Sequence, residues 1–176
     1  MLERIIATAV VTLVATYSGA RYSRLNGAYD RTRPSVPSDR VFRQMYKVLI
    51  GFALIIAIAS FWSNARLLGK FDEQPAWLCT IGLLVSLAGA ALFELAIRAL
   101  GSQYSPCFDL RIPAFRVMRG PYRWLPHPIY AGNLMILLGV FIASGSLWVL
   151  LVGCIVGVFY LRSARTERRL LESMPI

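Results

Sequence analysis

Residues 129–161 read IYAGNLMILLGVFIASGSLWVLLVGCIVGVFYL, thirty-three positions without one charged side chain. A single helix of that length would run ~50 Å at about 1.5 Å per residue, too long for a ~30 Å hydrocarbon core. The only interruption is Ser144-Gly145-Ser146, a cluster of turn formers. The stretch therefore predicts a tight helical hairpin. Its arms of about 15 residues are short, so their ends must lean on flanking protein or on a thinned bilayer. A re-entrant hairpin is the alternative arrangement.

Three more apolar segments precede it: 5–20 (IIATAVVTLVATYSGA), 46–63 (YKVLIGFALIIAIASFWS) and 76–97 (AWLCTIGLLVSLAGAALFELAI). Each approaches the roughly 20 residues that a spanning helix needs. The 176 residues are 57% hydrophobic and 16% charged, with a mean hydropathy of +0.57. Such a composition excludes an ordinary soluble domain, and the length excludes several domains. The expectation is an all-α integral membrane bundle of five transmembrane helices, residues 1–176 as one domain, ending in a cytoplasmic helix extension. Ser18-Gly19-Ala20 could serve as a cleavage point after a signal peptide, but Arg21 and Arg24 follow at once and oppose export, so the first segment is expected to be a retained helix. Cys79, Cys107 and Cys154 match neither a disulfide framework nor a zinc spacing, and no metal site is expected.

The net charge of +10 is distributed by side rather than by sequence-reading motif. Arg21, Arg24, Arg31, Arg33, Arg40, Arg43 and Lys47 flank the first loop. Arg98, Arg111, Arg116, Arg119 and Arg123 flank the third, and Arg162, Arg165, Arg168 and Arg169 follow the last helix. Only Arg4, Arg66 and Lys70 fall on the other side, offset by Glu3, Asp72 and Glu73. Five spans with the N-terminus outside satisfy the positive-inside rule in every loop. Anionic lipid headgroups account for such a face, so nucleic acid is not an expected partner.

Chemistry is concentrated in residues 119–132, RGPYRWLPHPIYAG, which hold the protein's one histidine in a proline-stiffened, aromatic, basic turn at the mouth of the hairpin. Glu94 and Arg98, four apart, share a face of the third helix, and ionisable groups at membrane depth are usually paired or functional. Gly132 with Gly139, and Gly153 with Gly157, have the spacing that lets helices approach closely. Packing of the two hairpin arms is the first expectation for them, dimerisation the second, and room for a ligand beside the turn a third for Gly132. Residues 160–172, YLRSARTERRLLE, read as a helix continuing into the cytoplasm, either as an amphipathic interfacial segment or as a carrier of Arg162 and Glu167 to the proline turn.

Gly-Pro-Tyr-Arg at 120–123, His-Pro-Ile-Tyr-Ala-Gly at 127–132, the apolar hairpin, and Arg162 with Glu167-Arg168-Arg169-Leu170 together resemble the isoprenylcysteine carboxyl methyltransferase and phospholipid methyltransferase superfamily. Members carry GPYR, then RHPxYxG, and end with R-x-x-x-E-E-x-x-L. The resemblance spans about residues 80–172, within a methyltransferase-like core at 76–176; residues 1–75 carry two helices without a motif. Pro126 stands where members have the arginine of RHP, and Thr166 where the first glutamate of the pair belongs. Arg119 or Arg123 is expected to replace the guanidinium.

The resemblance implies methyl transfer from S-adenosylmethionine, entering from the cytoplasm, to a lipophilic acceptor entering from the bilayer. The acceptor would be the carboxylate of a prenylated or lipidated molecule, or a phospholipid amine. Cofactor-binding roles fall to Tyr122, His127, Pro128, Tyr130, Gly132 and Glu167, with Trp124 a further aromatic face. Arg162 and Glu167 are the expected catalytic pair, Arg162 orienting an anionic acceptor. An amine acceptor must first lose a proton, for which His127 is the candidate. Two other readings remain open here: a non-catalytic lipid-binding or accessory membrane protein, which would bind no cofactor, and a haem-linked membrane isomerase or reductase, which would show a Soret band. Membrane lipids are expected partners and a homodimer a possible assembly.

Overall fold

The computed structural model describes residues 1–33, 40–63, 75–106, 111, 115 and 117–172. Arg66, Lys70, Asp72, Glu73, Cys107 and Arg116 lie outside the described residues, as do the side chains of Arg40, Arg43, Leu170 and Glu172. Five α-helices follow one another: α1 (Leu2–Ala28), α2 (Arg40–Trp62), α3 (Ala76–Leu100), α4 (Pro128–Ser144) and α5 (Leu147–Glu172), with short 3₁₀ turns at Gly101–Gln103 and Gly120–Arg123. The architecture is all-helical. Among the described residues four helices are long and apolar enough to cross a membrane, and α4, at 17 residues, is a shorter apolar helix beside them.

The hairpin forms where the sequence breaks. Gly145 ends α4 in the left-handed region (φ 66°, ψ 15°), and its amide bonds the carbonyl of Phe141. A glycine takes this conformation without a side-chain penalty. Pro128 starts α4, at the one helical position where a missing N–H costs nothing. The second arm is not short: α5 runs unbroken through residue 172, so its apolar half and its basic half are one rod.

The helices alternate in direction. On α3 and α4, Gly82 meets Gly139 and Ala143 while Gly89 meets Gly132 and Ile136, so the two are antiparallel. Tyr46 and Phe52 of α2 meet Tyr160 and Trp148 of α5 in the same opposed sense. Thr8 of α1 accepts from Trp62 Nε1 of α2. The ends of α1, α3 and α5 and the starts of α2 and α4 therefore share one face of the bundle.

The tightest helix pair is α3 with α4, which corrects the expectation that Gly132 and Gly139 pack the two hairpin arms together. Gly82, Ser86, Gly89 and Phe93 on α3 face Gly132, Ile136, Gly139 and Ala143 on α4, both at a repeat of three and four residues. A side chain on Gly139 would meet the Gly82 carbonyl oxygen at 2.5 Å. Ser86 Oγ donates across the interface to the Ile136 carbonyl at 3.2 Å. Gly153 and Gly157 lie at ordinary distances from Leu137 and Leu134 (3.9 and 3.6 Å). The small residues of α4 thus bring it onto α3, because α3 offers matching small residues at the same spacing.

The α5 core stripe is Val149, Val152, Val156, Tyr160 and Ser163, all buried. Steps of three and four keep one face inward, and the next step lands on Glu167. At the shared face, Glu94 of α3 bonds Arg98 (2.7 Å) and, from α1, Arg21 (2.9 Å).

Candidate active site

The proline turn and the end of α5 meet. Pro128 fixes the start of α4, placing His127 as its N-cap and Tyr130 within its first turn. Glu167 approaches from α5. His127 Nδ1 lies 2.9 Å from Glu167 Oε2, and Tyr130 Oη donates to Glu167 Oε1 at 2.5 Å. One carboxylate therefore holds two ring side chains, one through each oxygen. Hydrogen bonds to a charged group are worth ~1.5–3 kcal/mol each, enough to fix both rings.

The rings themselves are stacked. His127 lies on Tyr130 with centroids 5.5 Å apart and planes 10° from parallel, and Tyr130 lies on Tyr160 at 4.5 Å and 8°. Beneath this stack runs a polar network. Asn133 Nδ2 donates to Tyr22 Oη (2.6 Å) and Tyr160 Oη (3.1 Å), and Tyr160 Oη donates to Tyr46 Oη (3.2 Å). Helices α1, α2, α4 and α5 all contribute, so the floor of the site is tied to four of the five helices.

The carboxylate fixes the chemistry of His127. An ionised carboxylate only accepts, so the neutral ring carries its proton on Nδ1 and presents Nε2 with a lone pair. Tyr122, in the 3₁₀ turn, packs beside Tyr130 against Phe93, Ala96, Ile97, Tyr104 and Ile129. Burial, and after it the negative charge of Glu167, pushes the Tyr122 phenol well above the usual range, so the hydroxyl stays a neutral donor.

Several expected residues take other places. Gly132 leaves no room for a ligand, because a side chain there would meet the Gly89 carbonyl oxygen and the Phe93 amide at 2.9 Å; its space is filled by α3. Arg162 is exposed and lies about 140° round α5 from Glu167 at 100° per residue, so it does not join the cluster. Tyr130 offers no free ring face, since His127 and Tyr160 cover both sides; its hydroxyl is the functional part. Pro128 is buried and acts through the backbone. Trp124 is 83% exposed and has an open indole face. Arg123 is exposed, whereas Arg119 Nε donates to the Ala99 carbonyl at the end of α3 (2.9 Å), which ties the turn to that helix. Thr166 Oγ1 donates back to the Arg162 carbonyl. Among the described residues no group of three or more histidine, cysteine or acidic side chains could hold a metal.

Asn133 and Tyr160 join the site without belonging to any of the motifs. The signal lay in plain sight: an asparagine and a tyrosine on apolar stripes of α4 and α5, each needing a buried partner.

The family model for phospholipid methyltransferase matches residues 77–174, more than half of the chain. The chain belongs to the phospholipid methyltransferase family. No curated protein matches it in sequence. The matched region begins at the start of α3 and takes in α4, α5 and the turn that holds His127, so every member of the His127–Tyr130–Glu167 cluster lies within it. Membership makes this family member a membrane methyltransferase in general terms, with several apolar helices able to span the bilayer.

Proposed function

We propose that the protein transfers a methyl group from S-adenosylmethionine to a lipophilic acceptor at the cytoplasmic surface of the membrane. The observation that carries this is the Glu167 carboxylate held between His127 Nδ1 and Tyr130 Oη, inside the family's matched region and at the bundle face where the described basic residues gather.

The residues present suit such a cofactor. Glu167 provides negative charge for its cationic sulfonium and ammonium groups, the open Trp124 indole an aromatic face worth about 0.5–1 kcal/mol to a cation at an exposed site, and the Tyr122 hydroxyl a neutral donor. When bound, S-adenosylmethionine supplies an electrophilic methyl on a good leaving group. The protein's part is chiefly positioning, and holding two reactants in line can supply roughly 7–11 kcal/mol of the barrier.

The acceptor class follows from His127. With Nδ1 committed to Glu167, Nε2 can take a proton from an acceptor that arrives protonated. A carboxylate acceptor needs no base, and the expected orienting arginine, Arg162, stands apart from the cluster. The arrangement favours an amine. The N-terminus is proposed to lie outside and the C-terminus within the cytoplasm, since positive loops are retained on that side.

The test is cofactor binding to protein in nanodiscs, by equilibrium dialysis with labelled S-adenosylmethionine. Glu167→Ala removes the carboxylate proposed to meet the cofactor's cationic groups, and His127→Ala removes the ring that holds that carboxylate in place; loss of one charge-assisted contact of ~1.5–3 kcal/mol to the cofactor should raise Kd about 10- to 100-fold at 1.4 kcal/mol per decade. If both variants bind as tightly as the parent, this assignment of the site fails.

A further inference from the structure

Helices α1, α2 and α4 enclose a groove of about 130 Å³. Its walls are apolar, with Val11 and Val14 from α1, Ala53 and Leu54 from α2, and Leu137 and Val140 from α4. Polar groups occur only among Ser18 and Tyr22 of α1, Tyr46 of α2 and Asn133 of α4. These sit toward the shared bundle face, and three of them belong to the network under the His127–Tyr130–Tyr160 stack. From Asn133 to Val140 and from Tyr22 to Val11 the groove runs about 10–16 Å along the helices at 1.5 Å per residue.

Such a space has room for a ligand. Protein interiors hold few voids larger than a water molecule. Water needs two to four polar partners, which the apolar end lacks. Ser18 Oγ, one turn before Tyr22, is buried and has no hydrogen-bond partner among the described residues. A buried hydroxyl left so is costly, and a ligand with one polar group at that level would relieve it. The volume decides how many chains fit. An apolar cavity of ~150 Å³ holds one benzene, so this groove takes a section of one hydrocarbon chain and not two side by side.

We propose that the groove binds a single-chain amphiphile, its hydrocarbon tail between α1, α2 and α4 and its first polar group at Ser18 and Asn133. On the methyltransferase reading above, on which only this last step rests, that molecule is the acceptor: a one-chain lipid amine rather than a diacyl phospholipid.

The experiment uses the full chain in phosphatidylcholine nanodiscs and two photoprobes. One is dodecylamine with a diazirine near the end of its chain; the other is diacyl phosphatidylethanolamine with the diazirine at the same depth in one acyl chain. The single-chain probe should label peptides containing residues 50–54 and 136–140 saturably, at least tenfold above the diacyl probe. Ala53→Phe, which fills the groove, should lower that labelling at least tenfold. Gly19→Leu should lower it several-fold and keeps the fold testable if Ala53→Phe does not assemble, because a Cβ at Gly19 meets nothing within 4 Å. Equal labelling by both probes, or labelling unchanged by Gly19→Leu in a monodisperse sample, overturns the proposal. Labelled S-adenosylmethionine binding is measured on the same samples. Groove labelling without cofactor binding defeats the methyltransferase reading alone; cofactor binding with labelling insensitive to both substitutions defeats the groove alone.

Discussion

Glu167 binds two partners from a different helix, and the consequences are sharpest for single side chains. Its replacement by glutamine would keep the shape but weaken both contacts, whereas alanine would free His127 and Tyr130 together. Tyr122 feels the same carboxylate. Its phenol, raised by burial and by the Glu167 charge, keeps its proton in the folded protein where an unfolded phenol gives it up near pH ~10. The folded state then binds more protons than the unfolded one, so stability falls as pH climbs from about 10 toward the folded value. Two outcomes are expected. The absorbance step of tyrosine ionisation at 295 nm near pH 10 is unchanged in Tyr122→Phe, because this residue contributes nothing to it. The same variant also retains more of its thermal stability at pH 11, relative to pH 8, than the parent does. A smaller absorbance step in the variant would mean that Tyr122 titrates as an exposed phenol.

Among the elements, the α3–α4 contact has the narrowest tolerance. A Cβ on Gly139 meets backbone of α3 at 2.5 Å, and backbone cannot rotate away as a side chain can. Gly139→Ala should therefore cost at least the ~1–3 kcal/mol typical of overpacking. Gly153→Ala, with its nearest neighbour at 3.9 Å, should change little. Unfolding of both variants in mixed detergent micelles, followed by proteolysis, separates them; equal loss would show that α4 packs otherwise. The contrast also marks what a sequence can convey about such elements. Gly145 between two apolar runs announces a turn, and Pro128 after a histidine announces a helix start, because both act on their own backbone. The glycine spacing on α4 announces a close approach but not its partner. A helical period says which face a residue occupies, never which helix it faces. For the same reason the pairing of Arg21 with Glu94, 73 positions apart, is invisible in the sequence, whereas Arg98 with Glu94 is legible at four. The site divides likewise: the family motifs mark His127, Tyr130 and Glu167, but the motif position of Arg162 and the slot of Gly132 do not reveal that one turns outward and the other is filled by α3.

At the scale of the molecule, helix lengths shape the active face. α4 is about 25 Å long at 1.5 Å per residue, short of a ~30 Å core, while α3 and α5 run to about 37–39 Å. Its N-terminus, with His127, is thereby recessed between longer neighbours, and α5 rises past it to deliver Glu167. On the proposed methyl transfer, a recess at the membrane surface would let a water-soluble reactant and a lipid tail meet without either crossing the bilayer. That proposal requires the recessed face to be the one that meets the cytoplasm. The described arginines at positions 21, 24, 31, 33, 98, 111, 119, 123, 162, 165, 168 and 169 all lie toward it, and anionic lipids of the cytoplasmic leaflet attract such residues by about 1 kcal/mol each. In a cysteine-free background, a cysteine at exposed Trp124 should react with a membrane-impermeant maleimide in inside-out vesicles and not in intact cells. A cysteine at Leu2, 70% exposed at the opposite end, should show the reverse. Labelling of Trp124→Cys from the outside would turn the bundle over, and would place its recess where no cytoplasmic methyl donor could reach His127.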